Sequence, residues 1–325
     1  MYLCGVRVLY LTYDGLTDPL GRSQVLPYLV GLRRRLQEGF RPDVVSFEKA
    51  ERYAVSGEKL RAMLSAEGMD WHPQKFHTQP PFLSKAYDEW RFFQVASKLS
   101  SEKSYAAYHA RSYVAGWVAH RLSARTGRPW LFDMRGFWAD ERRDYGFWPK
   151  GHPLYDYLYR IWKKREQTML QTATAIIVLT EAAREVLVEW GIPPQKIAVI
   201  PCVADYDFFH LDASKREQTR AAIRYALDIP LDAVVFLYSG SLAWHYAPED
   251  IVAIFEAAYR IDQRTFLLAL TPHETASLEA LIRERGLPLS QYRVASAKRE
   301  EMPHYLSTAD AGIATNQPVF AKKGT

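Results

Sequence analysis

The sequence predicts an α/β protein of two domains, each built on a doubly wound parallel sheet. Short apolar, β-branched runs alternate with helical patterns along the chain, as parallel strands joined by right-handed crossovers require. These runs form two series, separated near Pro201–Asp212 (PCVADYDFFHLD), where the periodicity stops. The length of 325 residues suits about two domains.

The first run, Val6–Thr12 (VRVLYLT), reads as a central strand covered on both faces. The loop Tyr13–Arg22 (YDGLTDPLGR) follows, and a helix is predicted from Ser23 to about Leu36. A first β-loop-α unit of this kind presents backbone N–H groups at the carboxyl edge of a sheet, where anions and sugars bind. Gly15 and Gly21 are six apart, so the Gly-x-Gly-x-x-Gly dinucleotide fingerprint is missing. The plainer reading is a tight turn with positive φ at one of the two glycines.

Further strands are predicted at Val44–Phe47, Trp71–Phe76, Tyr105–His109, Trp130–Met134, Ala175–Leu179 and Ile197–Pro201. The helices between them are Ser84–Lys103, Ser112–Arg125, Pro153–Leu170 and Glu181–Trp190. In the second series the strands are Val234–Ser239, Thr265–Leu270, Arg293–Ser296 and Ala311–Ala314. Its helices are Ser214–Tyr225, Glu249–Arg260, Glu274–Arg285 and Glu300–Ser307. Two such domains are expected to face each other across a cleft, with ligands at the carboxyl ends of the strands.

Composition narrows the function classes. Hydrophobic residues make up 48% and charged residues 24%, ordinary for a globular chain. No apolar run approaches the roughly 18 residues of a membrane span. The N-terminus carries no basic region, apolar core and cleavage site of a secretory leader. The two cysteines, Cys4 and Cys202, have no metal or redox spacing, so the expected compartment is the cytoplasm. The net charge of +5 is uneven: residues 1–200 hold 29 Lys+Arg against 21 Asp+Glu, and residues 201–325 hold 13 against 16. A basic first half implies an anionic partner there. A nucleic acid is disfavoured, because the basic residues are spread over several loops and no binding motif appears.

The densest chemical constellation is Phe132–Arg143 (FDMRGFWADERR). Asp133 and Arg135 stand where a strand ends, Gly136 allows a sharp turn, and Asp140 and Glu141 follow. Such a set can hold hydroxyls or phosphate and act as acid and base, or it can tie the loop down through ion pairs. Another predicted strand ends in Tyr108–Ser112 (YHARS), where His109 can relay a proton or stabilise charge and Arg111 can hold a phosphate. A histidine at a strand end can equally be structural. Phe137–Trp162 holds nine aromatics among 26 residues, with Lys163, Lys164 and Arg165 adjacent. This composition suits contact with an anionic membrane surface, or an amphipathic helix packed on its own sheet. Leu237–Tyr246 (LYSGSLAWHY) joins a strand to a small-residue turn, Ser239–Gly240–Ser241, that lets backbone approach a ligand.

Taken in order, LYLTYDGLTDPLGRSQVLPYL, HARSY, FDMRGFWADER, IIVLTEAARE, KIAVIPCVADYDFF, LYSGSLAWHY and YLSTADAGIA resemble family 4 glycosyltransferases of the GT-B fold. The likeness is to the bacterial type that builds O-antigen, capsule or exopolysaccharide. It implies transfer of a sugar from a nucleotide diphosphate donor, UDP- or GDP-linked, with retention at the anomeric carbon and no metal ion. The acceptor, a glycan or lipid-linked precursor, would sit in residues 1–205 and the donor in residues 206–325. The residues carried into the roles are His109, Arg111, Asp133, Arg135 and Glu141 for catalysis. Asp14, Gly15, Gly21, Gln24 and Asp140 would hold the acceptor. Ser239, Gly240, Ser241, Trp244, Lys322 and Lys323 would hold the donor.

Two departures from the family pattern stand out. Ser241 takes the place of the arginine that many relatives carry after the donor-loop glycine, and Trp244, His245 and Tyr246 fill the positions beyond it. The chain also stops before the family's donor-binding glutamate segment, so the second domain is expected to be incomplete. The competing expectation is a catalytically impaired protein that binds sugar nucleotide or membrane without turnover.

Overall fold

The computed structural model describes residues 6–36, 39–202, 204, 206–242, 247–271 and 275–324. The chain divides into two compact units, Met1–Cys202 with Val319–Thr325, and Val203–Pro318.

In the first unit the strands are β1 (Val6–Thr12), β2 (Phe40–Glu48), β3 (Asp70–Lys75), β4 (Ala107–Arg111), β5 (Trp130–Asp133), β6 (Ala175–Val178) and β7 (Ile197–Val199). They form one sheet in the order β3-β2-β1-β4-β5-β6-β7, with every neighbouring pair parallel. The helices are α1 (Leu26–Leu36), α2 (Ala50–Ala66), α3 (Leu83–Glu102), α4 (Ser112–Thr126), α5 (Trp138–Asp144), α6 (Pro153–Thr172) and α7 (Glu181–Glu189). Leu9, Leu11, Val45 and Phe47 join one apolar cluster, and Tyr10 and Val44 join another. Side chains alternate across a strand, so these clusters cover opposite faces of the sheet. That is why β1 reads as an unbroken apolar run. Each fully buried leucine there contributes about 1.5–3 kcal/mol of transfer free energy.

The second unit carries α8 (Tyr206–Phe209), α9 (Ala213–Ala226), β8 (Val234–Ser239), α10 (Pro248–Ile261), β9 (Thr265–Leu270), α11 (Ala276–Glu284), β10 (Tyr292–Ala295), α12 (Met302–Leu306) and β11 (Ala311–Ile313). Its parallel sheet has the order β10-β9-β8-β11. The alternation recurs: Tyr238, Leu267 and Ala269 pack on one face, and Val235, Leu237, Phe266 and Leu268 on the other.

Several local expectations need correction. A helix not expected from the sequence occupies Ala50–Ala66. Its buried positions are few (Gly57, Leu60 and Leu64), which leaves a face too narrow to register as a period. The strand expected at Tyr105–His109 runs from Ala107 to Arg111, which makes Arg111 the last strand residue. Tyr105 instead buries its ring and donates its hydroxyl to Asp43 at 2.6 Å. The helix expected from Ser23 opens as a π-helical turn, Gly21–Val25, before α1 begins. Finally, Val319–Thr325 belongs with the first unit rather than the second. Phe320 packs its ring 5.0 Å from Phe137, and Ala321 donates its N–H to Asp144 at 3.0 Å.

Candidate active site

The strand order reverses between β1 and β4, and the crevice beyond their carboxyl ends is where an open α/β sheet receives ligands. The loop after β1 is built for close approach. A Cβ on Gly15 would lie 2.8 Å from the Phe47 carbonyl oxygen, and one on Gly21 only 2.1 Å from the Gly15 carbonyl oxygen. Neither glycine has positive φ, so contact rather than backbone sign demands them. Glu48, at the end of β2, holds the loop from below. It accepts the N–H groups of Leu16 (2.7 Å) and Thr17 (3.0 Å) and the hydroxyls of Thr17 and Ser46. No sequence motif marks Glu48; the only signal is a carboxylate closing an apolar strand.

Above this loop, charged side chains converge from three segments: the chain after β1, the end of β4 and the end of β5. Arg111 donates to Gln24 Oε1 at 2.7 Å and to Asp14 at 3.3 Å, and lies 3.5 Å from Asp133. Arg135 donates to the same Gln24 oxygen at 2.9 Å and to Cys202 Sγ at 2.8 Å. Its guanidinium is 3.7 Å from Asp133 Oδ1, an ion pair too long for a hydrogen bond. Asp133 Oδ1 and His109 Nε2 are buried without hydrogen-bond partners among the described residues. Burial raises the Asp133 pKa from its ordinary value, against the pull of Arg135 and Arg111. Burial first, then the charges of Arg111 and Arg135, lowers the His109 pKa to about 3 and keeps the ring neutral. Tyr10 and Tyr28 flank that ring at 4.6 and 6.0 Å. Ser112 and Arg135, each just past a strand end, have φ of 67° and 62°. Non-glycine residues held there cost about 1–3 kcal/mol and cluster at functional sites.

Asp14, Gln24, His109, Arg111, Asp133 and Arg135 are therefore brought together, with Gly15 and Gly21 beneath them. Asp140 and Glu141 are not. Glu141 is exposed on α5. Asp140 accepts from Tyr159 (2.7 Å) and Lys163 (2.8 Å), tying α5 to α6. Lys163 also bonds Glu166, which is fully buried and whose pKa burial raises. Tyr113 rests on Glu166 and lies 3.1 Å from the Gly136 carbonyl oxygen, so this network supports the turn that carries Arg135. Most of the aromatic stretch is internal. Phe137, Tyr145 and Trp148 are buried, and Trp138 and Trp162 pack against each other at 4.8 Å. Phe147, Leu154 and Tyr157 remain exposed.

In the second unit the order reverses between β8 and β11, and the Ser239–Gly240–Ser241 turn follows β8 at that point. Gly240 donates its N–H to Leu270 at 3.0 Å, and Tyr238 donates to the Ser241 carbonyl. Trp244 lies outside the described residues. Helix α10 opens with Glu249 and Asp250 in its first turn, so carboxylates already complement its N-terminal dipole. Lys322 and Lys323, expected to serve the donor, lie on the segment packed in the first unit. There the Thr180 hydroxyl donates to the Lys323 carbonyl, and the ammonium of Lys323 sits 5.8 Å over Phe320.

Residues 50–202 match the family model described as a glycosyl transferase 4-like domain. No curated protein matches the chain by sequence. Among solved structures, Anabaena Alr3699/HepE in complex with UDP and glucose is similar at 12% identity, with a TM-score of 0.64 over 96% of this chain and 74% of that one. Sucrose-phosphate synthase from Thermosynechococcus elongatus is similar at 15% identity, with a TM-score of 0.65 over 95% and 75%. UDP-GlcNAc 2-epimerase from Neisseria meningitidis bound to UDP-GlcNAc is similar at 10% identity, with a TM-score of 0.57 over 94% and 76%. Likeness at these identities establishes the fold, which is GT-B.

Proposed function

Starting from a chain whose residues 50–202 match the model of a glycosyl transferase 4-like domain, we propose that this protein transfers a sugar from a UDP-linked donor to a glycan or lipid-linked acceptor, with retention, in cell-surface polysaccharide synthesis. The observation that carries this reading is the convergence of Arg111 and Arg135 on one oxygen of Gln24, beside the neutral His109 and the buried Asp133. Breaking the bond between a sugar and a diphosphate leaves negative charge on the departing oxygen. Two preorganised guanidiniums at a sheet edge supply electrostatic stabilisation of such charge without a metal ion. Asp133 orients both guanidiniums. His109 Nε2, on a neutral ring and without a partner among the described residues, would hold a substrate hydroxyl.

The first unit takes the acceptor on the Gly15 loop, and the second takes the donor on the Ser239–Ser241 turn. UDP appears in the names of two of the three solved neighbours described above, which supports the choice of base. Phe147, Leu154 and Tyr157, exposed beside basic side chains, are the part of the aromatic stretch left to meet an anionic membrane. The reading is tested by incubating the protein with UDP-, GDP- and ADP-sugars and following sugar release and transfer by NMR. Turnover of a UDP-sugar with the anomeric configuration kept supports it. No turnover, inversion, or 2-epimerisation of UDP-GlcNAc defeats it.

A further inference from the structure

A second concave surface lies away from the Arg111–Arg135 cluster, along the edge strand β3 between α2 and α3. It is a groove of about 1000 Å³. Lys75, Arg61, Arg91 and Lys98 line it. Arg61, Lys75 and Arg91 have no acidic partner among the described residues, and Lys98 meets only the exposed Glu102 at 3.7 Å. These unneutralised cations, contributed by α2, β3 and α3 around one concave surface, raise the local concentration of anions.

The floor of the groove excludes one class of occupant. Phe76, just beyond β3, donates its N–H to the Glu48 carbonyl. Residues of a parallel strand bond alternately to the two sides, so Trp71, Pro73 and Lys75 turn their backbone outward. Pro73 has no N–H to offer. Arg61 caps the Trp71 carbonyl at 3.3 Å, and Gln74 caps that of Pro73 at 3.0 Å. An edge so blocked does not accept an added β-strand, from a peptide or from a second copy of this chain. What stays available is cationic and amide side chains. One end of the groove is at Glu48 and Ala50, and Glu48 is the residue that anchors the Gly15 loop.

We propose that this groove binds an acidic oligosaccharide, the length of glycan that trails behind the acceptor's reactive end. This rests on the glycosyltransferase reading for the identity of the occupant. Carboxylates along the glycan would meet Lys75 and Arg91, the latter held by its Nε to Gln74 at 3.2 Å, and its hydroxyls would meet Gln94. The volume lies at the top of the range of about 300–1,000 Å³ for small-ligand sites, as a ligand several sugars long requires.

The test is calorimetric titration of the full chain, without donor, using an oligogalacturonate, a neutral maltooligosaccharide of equal length and a single-stranded oligonucleotide. The oligogalacturonate should bind, and the maltooligosaccharide should bind at least about tenfold more weakly, because charge-assisted hydrogen bonds are the stronger kind. Lys75 and Arg91 are both exposed, so the K75Q/R91Q double variant should keep its melting temperature. It should lose about tenfold in oligogalacturonate affinity and keep UDP-sugar hydrolysis unchanged. Equal affinity for the neutral sugar, undiminished affinity in the double variant, or tighter binding of the oligonucleotide overturns the proposal. Donor hydrolysis is scored separately, so failure of the groove leaves the glycosyltransferase reading standing, and the two failures are told apart.

Discussion

Arg135 depends on its neighbours more than its place in the sequence suggests. Its backbone sits at a φ of 62°, its guanidinium shares the Gln24 oxygen with Arg111, and Tyr113 supports the turn that follows. Replacing it with alanine removes a positioned cation and relaxes little of the core. Arg135→Ala should therefore lower kcat by about 10²–10³, the loss typical of one electrostatic stabiliser, with a small change in melting temperature. Asp133→Asn should lower turnover as well, and it takes a counter-charge from the buried Arg111, so a loss of melting temperature tempered by the remaining Arg111–Asp14 contact should accompany it. Sugar transfer and thermal melts on the two variants check this, and full activity in both would take the cluster out of the mechanism. His109 yields a different test. Its pKa falls from 6.5 to about 3 on folding, so below pH 6.5 the unfolded chain binds a proton that the native ring refuses. Stability from this residue is present above pH 6.5 and drains away as the pH falls toward 3. Asp133 and Glu166 act oppositely: their raised pKa values favour the fold at low pH, and that contribution is lost as pH rises. His109→Gln should flatten the decline in stability between pH 6.5 and 4, as read from denaturant midpoints. An equally steep decline would mean that the ring titrates freely.

At the scale of elements, the loop after β1 shows how a binding surface is held rigid. A connection of eight residues would ordinarily move, yet Glu48 ties two of its N–H groups and a hydroxyl to the end of β2. Glu48→Gln would turn a full acceptor into a half donor facing donors. An unsatisfied buried group costs about 1–3 kcal/mol, so the variant should unfold at correspondingly lower denaturant. If the loop positions the acceptor, acceptor KM should rise more than kcat falls. A stability loss with unchanged KM would confine Glu48 to folding. The aromatic stretch makes a similar point about helices. Read along the chain, Phe137–Trp162 suits a membrane surface or a packed amphipathic helix; in the fold, α5 and α6 turn Trp138 and Trp162 inward, Phe137 and Trp148 beside them are buried, and Lys163 joins Asp140 to Glu166. Periodicity alone could not choose, because an amphipathic helix has the same pattern against lipid as against a sheet.

For the whole molecule, the notable contact is between the last described residues and the first unit. Phe320 lies on Phe137 and faces Trp190 at 6.5 Å, and Ala321 and Lys323 bond to Asp144 and Thr180 through their backbone. This clasp holds the segment that follows Gly136, the same turn that Tyr113 supports from within. Phe320→Ala should destabilise the first unit by about 1–3 kcal/mol, less than the loss for a fully buried phenylalanine, because the ring is partly exposed. A first unit that melts unchanged, with Trp190 fluorescence unaltered, would reduce the clasp to a surface contact.

The sequence by itself determined the fold class, the two series of strands and the loops that end them. β1, β8 and β9 have the limits that their apolar runs mark, because a parallel strand buried on both faces is written as continuous β-branched and leucine-rich sequence. It also placed Arg111, Asp133 and Arg135 at strand ends, since the sites of α/β folds lie there. It did not show α2, whose buried face is too narrow to carry a period. Nor did it distinguish Asp140, which braces two helices, from Asp133 seven residues earlier, which faces the guanidiniums. Tyr10, Tyr28, Glu48, Tyr113, Glu166 and Cys202 entered the site only with the fold. Each is ordinary where it stands in the chain and meets its partner across tens of residues, and which distant residues meet is decided by strand order and packing rather than by any local pattern.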